Sequence, residues 1–342
     1  MLPLPLFEYH RPGTLDEAIS LLSQLGDKAR IIAGGTDVLP NMKQGLFDPE
    51  HVVSIARLSE LRGIHIEPAK DGAPERLVIG AGMRLAEIAA SPEVLRTASA
   101  LAEAAGLVGG PHHRNMGTFG GNICLDTRCR YYNQTYFWRK SLGFCIKKDG
   151  TVCHVVRGGS KCVAAASNDS APTLIVLEGE IHILGPKGER RVPAVDFYTA
   201  DGVKNTVIEP GEVVVRAAIP AVPGRRSAFE KLRRRGAIDF PLLSIAVRAD
   251  LDPGDTTKVN AMDIVVSALG ARPRRIRAAA KVQPGSSAAA LPRSMGDAAF
   301  AECKPLPNVD EEVEWRREMV RELVEKAVAR ALGLPAPSGA PQ

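Results

Sequence analysis

Five of the six cysteines in this 342-residue chain, Cys124, Cys129, Cys145, Cys153 and Cys162, fall within 39 residues, while Cys303 stands alone. Grouped thiols in a chain without an export signal point to metal or redox chemistry rather than to disulfides. No CxxC or CxH pair occurs among them, so the usual knuckles of a zinc ribbon are missing. Three readings remain: a zinc site, inert buried thiols, and an iron–sulfur cluster held by four thiolates. The same segment carries Arg128, Arg130, Arg139, Lys140, Lys147, Lys148, Arg157 and Lys161 against Asp126 and Asp149, a net charge of +6 within a chain of net +5. It also holds Tyr131, Tyr132, Tyr136, Phe137, Trp138 and Phe144, six of the sixteen aromatics. A basic, aromatic segment suits either an acidic protein partner or nucleic acid.

A second kind of chemistry is offered by two glycine loops, Gly34-Gly35-Thr36-Asp37 and Gly117-Thr118-Phe119-Gly120-Gly121-Asn122. Each brings backbone N–H groups and a hydroxyl that suit a pyrophosphate. There is no Walker A loop, and Gly80-Ala81-Gly82 runs into Met83-Arg84-Leu85, so the dinucleotide GxGxxG is absent too. The adjacent His112 and His113 need not converge and have no evident third ligand, so they are read as polar or loop-flanking residues. No Ser-His-Asp or paired-carboxylate site stands out, and no catalytic residue is assigned.

These groups must be held by an α+β frame. Thr14 and Glu17 form a capping box before a helix with Leu15, Ala18, Ile19, Leu22 and Leu25 on one face, stopped at Gly26. Strands are expected at 29–33, 52–55 and 77–79, and an Ala-rich helix at 98–107. The runs 173–177, 180–184 and 212–219 read as strands of an antiparallel sheet, and 220–224 as a boundary. Beyond it, strands at 242–251 and 262–269 precede a linker at 283–294 and a long helix at 309–332, ended by Gly333 and Pro335. The tail 334–342 is expected to be disordered. No apolar run approaches a membrane span and the N-terminus is no signal peptide, so the expected compartment is the cytoplasm.

The run Ile31-Ile32-Ala33-Gly34-Gly35-Thr36-Asp37-Val38-Leu39-Pro40-Asn41-Met42-Lys43 closely resembles the FAD-binding signature of the molybdenum hydroxylase flavoprotein subunits, and Arg114-Asn115-Met116-Gly117-Thr118 through Asn122-Ile123 resembles their second signature. The opening segment 7–22, Phe229-Glu230-Lys231 and Asp239 extend the resemblance over nearly the whole chain. It implies a two-subdomain FAD-binding domain of the vanillyl-alcohol-oxidase (PCMH) type at 1–222, then a small C-terminal α+β domain of the CO dehydrogenase flavoprotein type at 223–333. By the same resemblance Ile31, Ile32, Ala33, Gly34, Gly35, Thr36, Asp37 and Val38 would wrap the pyrophosphate, and Thr118, Phe119, Gly120, Gly121 and Asn122 would add a second set of contacts. Asp169 would meet FAD, with Val108, Val214 and Lys231 near its rings.

The resemblance implies a short connection from the second signature to that Asp, whereas here Asn122 and Asp169 are 47 positions apart. The excess is the cysteine-rich insertion at about 124–163. Cys129, Cys145, Cys153 and Cys162 leave 15, 7 and 8 residues between them, a spacing similar to the cluster insertion of the 4-hydroxybenzoyl-CoA reductase β subunit. The resemblance implies one 4Fe-4S cluster on those four thiols, Cys124 being the odd one, which the sequence alone leaves open as a ligand in place of Cys129. It further implies molybdopterin and 2Fe-2S partner subunits in a dimer of heterotrimers, ferredoxin as donor, and electron relay for reductive dehydroxylation of 4-hydroxybenzoyl-CoA to benzoyl-CoA. Neither a membrane nor nucleic acid is an expected partner. Two rival readings stay open: a hydroxylase flavoprotein passing electrons outward to NAD or a quinone, and a zinc-containing nucleic-acid-binding module.

Overall fold

The computed structural model describes residues 2–69, 72 and 74–335. It begins with β1 (Glu8–His10), α1 (Leu15–Leu25), β2 (Ala29–Ile32), α2 (Val38–Lys43) and β3 (His51–Ser54). The Thr14 hydroxyl caps α1 by accepting from the Glu17 N–H at 3.2 Å, and Gly26 ends it at φ 54. The apolar stripe buries Leu15, Ala18, Ile19 and Leu22 in a core shared with Val53 of the parallel sheet β1-β3-β2.

The second subdomain contains β4 (Ile64–Glu67), β5 (Arg76–Gly80), α3 (Leu85–Ala90), α4 (Pro92–Thr97), α5 (Ser99–Leu107), α6 (Pro111–Met116), α7 (Phe119–Ile123), α8 (Tyr136–Ser141) and α9 (Ser170–Val176). It continues through β6 (Glu180–Gly185), β7 (Gly188–Pro193), α10 (Ala194–Phe197) and β8 (Val213–Pro220). Its sheet runs β4-β5-β8-β6-β7, antiparallel throughout as the sequence suggested. One expected strand is corrected: 173–177 is almost wholly the helix α9. All seven of its residues are buried, and an apolar run buried on every side lacks the periodicity that separates a strand from a short helix.

The last lobe packs β9 (Arg225–Leu232), β10 (Leu243–Leu251), β11 (Lys258–Ser267), β12 (Arg274–Arg275) and β13 (Ser286–Ser287) beneath α11 (Leu291–Glu302) and α12 (Val313–Leu332). The linker expected at 283–294 is therefore partly helix: Pro292 sits in the first turn of α11, where a missing N–H costs nothing. Gly333, left-handed at φ 70, ends α12. From 336 onward the expected disordered tail lies outside the described residues. Phe229, Ala246 and Val265 pass through the sheet into the core of the second subdomain, whereas Leu243, Ile245 and Val247 face the α11 and α12 side. Arg316, fully buried on α12, donates to the carbonyls of Leu242, Ala268 and Leu306, and burial pushes its guanidinium down to about 10. Among the described residues no helix is long and apolar enough to cross a membrane.

Candidate functional site

The first glycine loop leaves β2 at Ile32 and enters α2 at Val38, and Gly35 takes φ 70, a left-handed value that favours glycine. The N–H groups of residues 34–38 have no acceptor among the described residues. Five consecutive free donors ahead of a helix form a concentrated positive dipole, the environment a pyrophosphate requires. A Cβ on Gly34 would lie 2.0 Å from the Met116 carbonyl oxygen, and one on Gly117 would lie 3.3 Å from Thr36 Oγ1, so the two loops touch backbone to backbone.

The second loop is a capped helical turn. Thr118 caps α7, its hydroxyl accepting from the Gly121 N–H at 3.2 Å. Phe119 and Gly120 donate to Met83 and Ala81, and Asn122 donates back to Thr118. The four amides at 119–122 thus donate within the protein, while the Thr118 hydroxyl accepts there and keeps its own proton to donate. The cause is a helical turn that three glycines in a row of five had concealed. What this turn does is position α9: Asn122 Oδ1 accepts from the Ser170 amide at 3.0 Å and hydroxyl at 2.6 Å, fixing the residue next to Asp169.

Asp169 is 3 % and Lys231 1 % exposed, and Lys231 Nζ donates to Asp169 Oδ2 at 2.6 Å and to Leu107 O, the end of α5, at 3.1 Å. Burial raises the Asp169 carboxyl above its ordinary range against the pull of Lys231. Its Oδ1 has no hydrogen-bond partner, an orphan acceptor in a place where such atoms are rarely left alone. This orphan and the free amides of the first loop are the two features that fit a bound dinucleotide. Ile31 and Ile32 sit on β2, Ala33 leads into the loop, and Asp37 precedes α2 and pairs with Arg128. Val108 ends α5 and gives its carbonyl to Arg114, while Val214 is packed into the second subdomain's core.

The insertion is closed at its stem by paired backbone bonds between Arg128 and Ala165. Inside it, Cys129, Cys145, Cys153 and Cys162 line one small cavity with Tyr132, Ile146 and Ala164. Cys124 is exposed and lies outside that cavity. Among the described residues no three of these sulfurs lie within 4.8 Å of one another. Burial pushes the Cys129 thiol up to about 12 and raises Cys162 as well, so both are held as neutral thiols by their surroundings. Val156 N–H donates to Cys153 Sγ at 3.4 Å.

Two residues that sequence reasoning passed over complete this pocket wall. Gly202 lies so close that a Cβ there would meet Cys162 Sγ at 2.6 Å. Lys147, counted in the sequence as part of a basic surface, points inward to Asp126 at 2.7 Å, Thr127 at 2.8 Å and the Gly202 carbonyl. Arg139 is buried too, donating to Gly45 O at 2.9 Å. The outward cations are Arg130, Lys140, Lys148, Arg157 and Lys161, of which Lys140, Arg157 and Lys161 have no acidic partner among the described residues. Cys303 is buried, as set aside from the sequence, and His113 Nδ1 accepts from the Gly110 N–H.

Comparison with known proteins places the flavoprotein frame in a family. The family model described as FAD binding domain in molybdopterin dehydrogenase matches residues 5–222, and that of the CO dehydrogenase flavoprotein C-terminal domain matches 227–331. The chain is 31% identical to the carbon monoxide dehydrogenase medium chain of Hydrogenophaga pseudoflava, over 97% of this chain and 98% of that one. It is 30% identical to the aldehyde oxidoreductase FAD-binding subunit PaoB of Escherichia coli, over 82% and 87% respectively. The solved carbon monoxide dehydrogenase from Hydrogenophaga pseudoflava superposes with a TM-score of 0.76 at 29% identity, covering 97% of this chain and 99% of that one. The fold is the one expected from the sequence.

Proposed function

Because the chain belongs to the family of FAD-binding medium subunits of molybdenum hydroxylases and carbon monoxide dehydrogenases, we propose that it is the FAD and 4Fe-4S subunit of a 4-hydroxybenzoyl-CoA reductase-like enzyme. In that role it relays electrons from a ferredoxin-class donor toward a molybdopterin subunit and a 2Fe-2S subunit, in the cytoplasm. The observation that carries the reading is the set of four thiols, Cys129, Cys145, Cys153 and Cys162, lining one cavity inside an insertion of the flavoprotein frame.

When bound, FAD supplies one- and two-electron transfer. The free amides of residues 34–38 would hold its pyrophosphate, and Asp169 Oδ1 would accept a hydrogen bond from it. Lys231 keeps the carboxylate in place and ties it to the C-terminal lobe. The four thiols would hold the cluster, while Lys147 and Gly202 close the wall behind Cys162. Lys140, Arg157 and Lys161 leave positive charge outward, which speeds encounter with an acidic protein.

A second reading, a hydroxylase flavoprotein passing electrons outward to NAD or a quinone, is favoured by the named activities of its relatives, carbon monoxide dehydrogenase and aldehyde oxidoreductase. Anaerobic purification with the partner chains separates the two. Iron and acid-labile sulfide should each approach about four per chain beyond those of the partners, and Cys153→Ser should abolish that excess while FAD stays. Full FAD occupancy with no excess iron would leave the outward-flow reading, and stoichiometric zinc without sulfide would leave the zinc module.

A further inference from the structure

Far along the chain from the thiols, the parallel pairing of β1 and β3 sets Glu8 directly opposite His51. His10 lies two residues on from Glu8, on the same face of the strand. Three side chains therefore converge. His10 Nε2 is 3.1 Å from His51 Nδ1, Glu8 Oε1 is 3.7 Å from His10 Nε2, and Glu8 Oε2 is 3.5 Å from His51 Nδ1. The histidine side chains are about four-fifths buried, at 19% and 20% exposure, while Glu8 reaches the solvent at 66%.

Two imidazole nitrogens this close cannot both carry a proton on the facing atoms: either one ring donates an N–H to the other, or both lone pairs face one shared cation. The carboxylate alongside argues for a divalent metal as that cation: with bonds of about 2.0–2.1 Å, tetrahedral ligands stand about 3.3 Å apart, close to the 3.1, 3.5 and 3.7 Å observed. We propose that Glu8, His10 and His51 form a metal site of the zinc class, with His10 binding through Nε2, His51 through Nδ1 and Glu8 through one oxygen, the fourth position facing water. Imidazole with one carboxylate suits zinc and its first-row neighbours, and not calcium or magnesium, which take oxygen donors. The ion would staple the N-terminal strand to β3, the central strand of the sheet from which the 34–38 loop departs.

The test uses the full chain with its flavin, stripped of loose metal by a chelator and titrated with Co2+ as a spectroscopic stand-in and with Zn2+. Cobalt on the cysteines shows thiolate-to-metal charge transfer, whereas cobalt on nitrogen and oxygen does not. Wild type should bind one cobalt ion without that band, and zinc should raise its thermal midpoint. His10→Gln/His51→Gln should lose both effects. Glu8→Gln, at an exposed position that tolerates substitution, should weaken cobalt binding by about tenfold or more. If the double variant does not fold, Glu8→Gln decides alone. Cobalt binding only with the thiolate band, or binding of the nitrogen–oxygen class unchanged in the variants, overturns the site.

Discussion

Replacing Lys231 with Met is the sharpest probe of how the two lobes are joined around Asp169. The ammonium and carboxylate stand 2.6 Å apart, at 1 % and 3 % exposure. Their attraction at an effective dielectric near 20 is about 6 kcal/mol before the cost of removing both from water, which consumes most of it. Removing one partner leaves the other buried alone, so Lys231→Met should destabilise the flavin-free protein by about 3–5 kcal/mol. In Lys231→Met/Asp169→Asn the orphan charge is gone, and the double variant should be more stable than the sum of the single changes by about 2 kcal/mol. The sign of the pH dependence follows from burial, which already raises the Asp169 carboxyl in the wild type. Without Lys231 its value rises further, so the native state holds an extra proton over a wider range, and the deficit should grow as pH rises from about 4 toward neutrality. Urea unfolding of the four proteins at several pH values measures each quantity. Additivity within about 0.5 kcal/mol, or a deficit that does not change with pH, would refute the buried-pair argument.

Gly34→Ala places a Cβ 2.0 Å from the Met116 carbonyl and must part the two glycine loops. Flavin affinity should fall by about tenfold to a hundredfold, the equivalent of about 1–3 kcal/mol of overpacking, and equilibrium dialysis with FAD showing no change would contradict the loop contact. Gly202→Ala drives a Cβ toward Cys162 Sγ at 2.6 Å and should lower cluster iron below about half while flavin content holds. Unaltered iron and sulfide in that variant would mean the wall tolerates the displacement. Glu212 is held below the usual carboxylate range, first by its hydrogen bonds from Arg190, both at 2.7 Å. A lowered carboxyl contributes stability above its unfolded value of about 4.3 and loses it as pH falls through the folded value. Arg190→Met should therefore cost about 1 kcal/mol at pH 7 and almost nothing near pH 3, as followed by thermal unfolding.

Local chemistry was enough to mark α1, most strands, and the two glycine loops, because capping, alternation and positive φ act over a few residues. Thr14 accepts from Glu17 wherever the helix packs, and Gly35 needs its left-handed φ whatever lies across from it. The family followed from the ordered motifs. Other features depend on which segments meet. The 173–177 run became a helix because it is buried on all sides by both lobes, an environment its composition does not encode. The second glycine loop spends its donors on Ala81, Met83 and its own cap, partners visible only once β5 and α3 are in place. Lys147 turned inward because Gly202, 55 positions later, offers it a carbonyl beside Asp126. His51 meets Glu8 and His10 only through the register of two parallel strands, a pairing that a one-residue slip would undo by turning every side chain to the other face. Residue types in the sequence name the donors, and strand register with loop closure decides which of them stand side by side.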